Sequence, residues 1–185
     1  MPESSKTTLY ELAARLAAGG ENSVHQRYPN QKHFLLVLPE DSGPPPVVWT
    51  SSNPKIIEGN TSITKLSLKE SLKNYNVPGA VIQPLQKTSR NNFKQIIVGR
   101  DEIADIRLNS QNVSKSHSAF EIKENKVHIR DLDSRNGTYV NEAQFSDPIE
   151  LTSFTEIKFA DVRTLYLSFT DLLELLKIST KVVLS

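Results

Sequence analysis

Gly99-Arg100, Asp105-Ile106-Arg107-Leu108, Val113-Ser114-Lys115-Ser116-His117, Asp131-Leu132-Asp133-Ser134-Arg135-Asn136-Gly137-Thr138 and Val140-Asn141 follow one another in a single composite stretch, and its reading decides the fold. Short strand-like runs alternate with turns. An arginine, a serine beside a lysine, and an asparagine each sit in a separate turn. All three supply hydrogen-bond donors, and none is arranged as a nucleophile with its base. The pattern describes a surface that grips an anion.

Working outward, the same texture continues on both sides. Val81-Ile82, Phe93 to Val98, Ile106 to Leu108, Ser118 to Ile122, Val127 to Ile129, Thr138 to Val140, Ile149 to Leu151, Glu156 to Phe159 and Thr164 to Phe169 read as strands. They are short and rich in β-branched residues. Turn residues separate them at 87–92, 109–112, Glu124-Asn125 and Asn136-Gly137. Many short strands at close spacing predict an antiparallel β-sandwich.

The chain before this region has a mixed character. Thr8-Leu9-Tyr10-Glu11 reads as a capping box, and Leu9, Leu12, Ala13, Leu16 and Ala17 fall on one helical face. Gly19-Gly20 is expected to end that helix, with a polar loop over 21–31. Phe34 to Leu38 and Val47 to Thr50 are strand candidates, separated by a turn and the triple proline 44–46, which does not fit inside a sheet. Ser67-Leu68-Lys69-Glu70 is a second capping box, with Leu68, Leu72 and Tyr75 at helical spacing; Val77-Pro78-Gly79 stops it. After the last strand, Leu172, Leu173, Leu175, Leu176 and Ile178 predict a helix that packs on the sandwich. The expected organisation is an N-terminal mixed α/β extension over 1–75, the sandwich over 76–170, and a C-terminal helix and tail over 171–185.

Composition narrows the function classes. The chain has 185 residues, 37% hydrophobic and 23% charged, ordinary for a soluble globular protein. With 22 Lys plus Arg against 21 Asp plus Glu, the net charge of +1 gives no reason to expect nucleic acid as a partner. Cysteine is absent, which excludes disulfides, thiolate catalysis and Cys-based zinc sites. His25, His33 and His128 show no metal-ligand spacing, so neither metal nor another cofactor is expected. The first residues lack the pattern of a signal peptide, and no apolar run nears the roughly 18 residues that suggest a membrane span. Cytoplasmic localisation is the expectation.

The composite stretch resembles the forkhead-associated (FHA) domain, over roughly residues 75 to 170. The blocks in order, at compatible spacing, carry the likeness: Gly-Arg, Asp-Ile-x-Leu, Val-Ser-Lys-x-His, then Asp-Leu-x-Ser-x-Asn-Gly-Thr-x-Val-Asn. The resemblance implies a β-sandwich that reads phosphothreonine peptides in Ser/Thr-kinase signalling and has no catalytic activity. It implies phosphopeptide contacts from Arg100, Ser114, Lys115, Arg135 and Asn136. Gly99, His117, Gly137, Thr138 and Asn141 are expected to shape the loops, with Gly99 also supplying an unusual backbone angle and keeping side-chain bulk away from the peptide.

The residue chemistry agrees with those roles. A phosphothreonine carries about −1.5 to −2 charge and three strong acceptor oxygens. Arg100 offers a planar fork of donors, Ser114 a compact hydroxyl, and Asn136 an amide that donates and accepts together. The sequence departs from the family at Glu142, where Gly often follows the asparagine, and at Ser118, where Ala is common. A phosphate-independent docking scaffold is the alternative, and a hydrolase using Ser114 and His117 comes third. The hydroxyl cluster Ser4, Ser5, Thr7 and Thr8 raises one more expectation, a phosphorylated tail binding Arg100 and Ser114 of its own chain.

Overall fold

The short, closely spaced strands expected from the sequence form two facing sheets. The computed structural model describes residues 7–40 and 79–183, with side chains to residue 179. The strand expected at Val47–Thr50, Trp49, the proline run and the helix expected from Ser67 lie outside the described residues.

Helix α1 covers Leu9–Arg27. The strands are β1 His33–Val37, β2 Val81–Pro84, β3 Ile96–Gly99, β4 Ile106–Arg107, β5 Ser118–Lys123 and β6 Lys126–Asp131. They continue with β7 Thr138–Val140, β8 Ala143–Gln144, β9 Ile149–Leu151, β10 Thr155–Phe159 and β11 Val162–Ser168, and helix α2 follows at Phe169–Val183. One sheet runs β2-β1-β11-β10-β7-β8 and the other β4-β3-β5-β6-β9. The fold is mainly β, as expected, with one departure from antiparallel pairing: β3 and β4 run parallel.

The inner faces meet in a core of Leu35, Val98, Ile106, Phe120, Ile129, Ile157 and Phe159 among others. Phe120 and Phe159 pack edge to face at 6.3 Å between centroids. A second core lies on the outer side of the larger sheet. There Leu9, Leu12 and Leu16 of α1 and Leu172, Leu175 and Leu176 of α2 cover Phe34, Leu36, Leu165 and Leu167. Spacing of i, i+3 and i+4 on both helices makes this possible. Each fully buried leucine contributes roughly 1.5–3 kcal/mol by leaving water.

Two features of the N-terminal region differ from the sequence reading. Gly20 takes φ 64, ψ −171, which stops the first helical stretch as expected, yet helix resumes to Arg27 where a loop was expected. Val24 and Tyr28, four residues apart, anchor that second stretch in the helix-side core. Strand β1 belongs to the sandwich sheet itself, paired with β11 from His33↔Ser168 to Val37↔Thr164 and with β2 on its other side. Its run Phe34-Leu35-Leu36 is buried on both faces, so a place between two strands under the helices is the one that removes all three side chains from water.

Candidate functional site

The three turns picked out by sequence converge at one end of the smaller sheet, and main-chain hydrogen bonds hold them there. Arg100 N–H donates to the Ser114 carbonyl at 3.1 Å, joining the β3–β4 and β4–β5 loops. Arg135 N–H donates to Ser114 Oγ at 3.0 Å, and Asn136 Nδ2 donates to the Asn112 carbonyl at 2.7 Å, which brings in the β6–β7 loop. Arg100, Lys115, Arg135 and Asn136 are exposed and Ser114 is half-buried.

Glycine 99 makes the first approach possible by a different means from the one expected. Its φ is not positive. A Cβ at this position would lie 2.0 Å from the Lys115 carbonyl oxygen, so what Gly99 provides is room for a neighbouring backbone. Gly137, in contrast, does take φ +76, the left-handed region that favours glycine. Asn136-Gly137 is not a hairpin turn: it carries the chain from β6 in one sheet to β7 in the other.

Behind these loops lies a buried polar frame. His117 is fully buried and spans two of them. Its Nδ1 accepts the Ser114 backbone N–H at 3.0 Å, which fixes the proton on Nε2, and Nε2 donates to the Gly137 carbonyl at 3.0 Å. Burial lowers the imidazole pKa from its ordinary value, against the opposing pull of the Gly137 carbonyl and the Asp131 charge. A neutral ring suits a position that must accept at one nitrogen and donate at the other.

Asp131 anchors the third loop. Its carboxylate accepts the Ser134 N–H at 2.9 Å, the Ser134 hydroxyl at 2.7 Å and the Thr138 hydroxyl. Burial pushes its pKa up, but the bonds from Thr138 and Ser134 outweigh that and leave the carboxyl below its ordinary value. Thr138 spends its proton on Asp131, so Ser118 Oγ donates to Thr138 Oγ1 at 2.6 Å. This accounts for a serine where the family pattern often has alanine: the buried hydroxyl has a partner. Asn141 lies further off. With Glu142 it forms the two-residue β7–β8 turn, and its Oδ1 accepts the Glu156 N–H at 3.3 Å.

The electrostatics follow from what the cations lack. Among the described residues, no carboxylate or carbonyl pairs with the side chains of Arg100, Lys115 or Arg135. Ser114 Oγ uses a lone pair on Arg135 N–H, and its own proton is uncommitted. Sequence reasoning missed one more cation, Arg107. Its Nε donates to the Arg100 carbonyl at 3.2 Å, and among the described residues its terminal nitrogens have no partner. The variable position of Asp-Ile-x-Leu on an edge strand was the available signal.

The N-terminal hydroxyls are engaged elsewhere. Thr8 Oγ1 caps α1 through Glu11 N–H at 3.2 Å, and Thr7 Oγ1 accepts from Arg27 at 3.3 Å. Thr8 also bridges to Val81 on β2. Reaching Arg100 would require opening this cap and bridge, so the expected binding of the chain's own tail finds no support here. Ser4 and Ser5 lie outside the described residues. No described helix is long and apolar enough to cross a membrane.

Comparison with known proteins adds a family match over part of the chain. Residues 96–160 match the model of the FHA domain. No curated protein matches the chain. Solved structures of similar shape include an FHA domain from an analysis of phosphothreonine-dependent FHA interactions, with 17% identity over 74% of this chain and 95% of its own, TM-score 0.44. The FHA domain of the CT664 protein from Chlamydia trachomatis gives 20% identity over 75% and 98%, TM-score 0.47. EmbR of Mycobacterium tuberculosis, solved with a low-affinity phosphopeptide, gives 20% over 85% of this chain and 31% of EmbR, TM-score 0.45. These likenesses carry no part of the functional argument. Every site residue singled out from the sequence falls inside the 96–160 match to the FHA domain.

Proposed function

We propose that the chain is a phosphothreonine-dependent binding module, a reader in Ser/Thr-kinase signalling. One observation carries this reading: Arg100, Lys115 and Arg135, whose side chains have no partner among the described residues, lie on loops that meet at Ser114, whose hydroxyl proton is uncommitted. A dianionic phosphate with three acceptor oxygens matches that donor set. In this assignment Arg100 forks onto two phosphate oxygens, Ser114 Oγ donates to one, and Lys115 and Arg135 add charge. The Asn136 side chain pairs with the ligand backbone through the capacity that its bond to Asn112 leaves open.

His117 supports binding over catalysis. With Nδ1 facing the Ser114 N–H and Nε2 bonded to the Gly137 carbonyl, neither nitrogen is available to take a proton from a serine hydroxyl. The ligand in this reading is another molecule; among the described N-terminal hydroxyls, Thr8 caps α1 and Thr7 accepts from Arg27.

The test is titration of a degenerate phosphothreonine peptide library and its phosphoserine and unphosphorylated counterparts against wild type and Arg100→Ala. The phosphothreonine set is expected to bind in preference to both others, and Arg100→Ala to lose about 2–4 kcal/mol, the scale for removing one partner of a charged hydrogen-bonded pair. Equal binding of phosphorylated and unphosphorylated peptides would replace this reading with a phosphate-independent scaffold.

A further inference from the structure

Four large apolar side chains stand out in water among the described residues: Tyr10, Phe93, Ile103 and Ile122. Single exposed apolar residues are ordinary and need no explanation. Tyr10 on α1 and Ile122 near the end of β5 are of that kind. Phe93, 56% exposed, and Ile103, 45% exposed, belong to different loops yet are held by one side chain. Asn91 Nδ2 donates to the Ile103 carbonyl at 2.7 Å, while its Oδ1 accepts the Phe93 N–H at 3.1 Å.

The mount is rigid. Asn91 also bonds the Asp105 carboxylate at 3.2 Å, and Asp105 in turn accepts the Ile97 N–H of β3 at 2.8 Å. Lys87 and Thr88 complete the ring of donors on Asp105. Ile103 sits at the tip of a turn closed by Ala104 N–H on the Asp101 carbonyl at 3.1 Å. That turn follows Arg100 directly, and three residues of chain keep Ile103 within about 11 Å of it.

We propose that Phe93 and Ile103 form an apolar subsite that takes an aliphatic or aromatic side chain of the phosphothreonine-bearing partner. The proposal rests on the phosphothreonine reading of Arg100 and extends it. Continuity favours this occupant: Ile103, at the tip of the turn that follows Arg100, and Phe93, tied to it through Asn91, stand within reach of a few residues of a peptide held at Arg100. Charge around the pair is mixed, with Arg90 and Lys94 near Phe93 and Asp101 and Glu102 beside Ile103, so selection there falls to apolar contact.

The test uses the full chain and an oriented phosphothreonine peptide library in which each position flanking the phosphothreonine is varied between Leu, Phe, Ser and Asp. Wild type is expected to prefer Leu or Phe over Ser by about tenfold at one flanking position. F93S/I103S is expected to lose that preference while keeping its preference for phosphorylated over unphosphorylated peptide, and Phe93→Leu to retain most of it. Unchanged thermal unfolding of the double variant, with both sites exposed, confirms an intact fold. A library with no apolar preference, or one the double variant leaves unaltered, overturns the subsite and leaves the phosphate reading standing. Loss of phosphate dependence in wild type overturns both. Concentration-dependent self-association of wild type, abolished by F93S/I103S, would assign the patch to a second copy and reject the proposal.

Discussion

Beneath α1 and α2, the contacts with β1 and β11 are almost wholly apolar, from Leu9 and Phe34 to Leu175 and Leu176. At the loop end, three turns are positioned by a handful of directional bonds through Ser114, His117 and Asp131. The first region draws stability from area and is forgiving of small shifts. The second draws geometry from hydrogen bonds whose donors and acceptors admit one arrangement. A molecule with both can hold exposed, mutually repelling cations in place without asking them to contribute to folding.

Substitutions break this contrast in measurable ways. Leu175→Ala, in the fully buried helix-side core, is expected to cost about 3–4 kcal/mol in denaturant unfolding. Phosphopeptide affinity of the folded protein should stay as in wild type. Gly99→Ala falls at the end of β3, where the smaller sheet passes into the loops. Its Cβ would meet the Lys115 carbonyl oxygen at 2.0 Å, so it is expected to lose about 2–3 kcal/mol of stability and to displace Arg100 from Ser114. Calorimetry of folding and of phosphopeptide binding should both register it. Arg100→Ala, by contrast, should shift unfolding by less than about 0.5 kcal/mol while removing binding.

Acidification probes the polar frame. Burial lowers the pKa values of both His117 and His33 from the ordinary 6.5. A base depressed in the folded state contributes stability that is full above 6.5 and lost as pH falls through the folded value. Stability is therefore expected to decline below pH 6.5, and affinity with it, because protonated Nδ1 of His117 would face the Ser114 N–H. Nitrogen NMR of the His117 ring checks this directly; a ring half-protonated near 6.5 would contradict it. Asp131 and Asp105 follow at lower pH. Burial pushes the Asp105 carboxyl up, but Lys87, the Ile97 N–H and Thr88 bring it down to about 2.

The smallest effect is a gain. Glu142 holds φ 67 in the β7–β8 turn, a conformation that costs a side-chain-bearing residue about 1–2 kcal/mol. Glu142→Gly is expected to stabilise the fold by about 1 kcal/mol after the entropy of glycine is offset, read as a raised thermal midpoint with unchanged phosphopeptide affinity.

What the sequence made legible was local or periodic. The Thr8–Glu11 capping box forms as read because its partners are three residues apart. Strands such as Val127 to Ile129, with buried Val127 and Ile129 either side of His128, were readable for the same reason. Strand β8 was not: Ala143 and Gln144 are both exposed and carry no pattern. The helix after Gly20 hid behind polar residues, its two anchors four positions apart. At the site, residue types announced an anion, but the reason for Gly99 lies in a carbonyl from another loop, and Arg107 is revealed by a bond to Arg100. Both are tertiary facts.

The place of β1 between β2 and β11 also bears on how the chain is made. His33 and Tyr166, bonded at 2.9 Å, are 133 positions apart. At ribosomal speeds of about 5–20 residues per second, β1 waits on the order of ten seconds for β11 to be synthesised. Throughout that interval Phe34, Leu35 and Leu36 have no β11 to pair with, an apolar strand whose open edge invites other chains. The arrangement that buries these residues so completely at the end of synthesis leaves them an uncovered apolar strand in the nascent polypeptide before it.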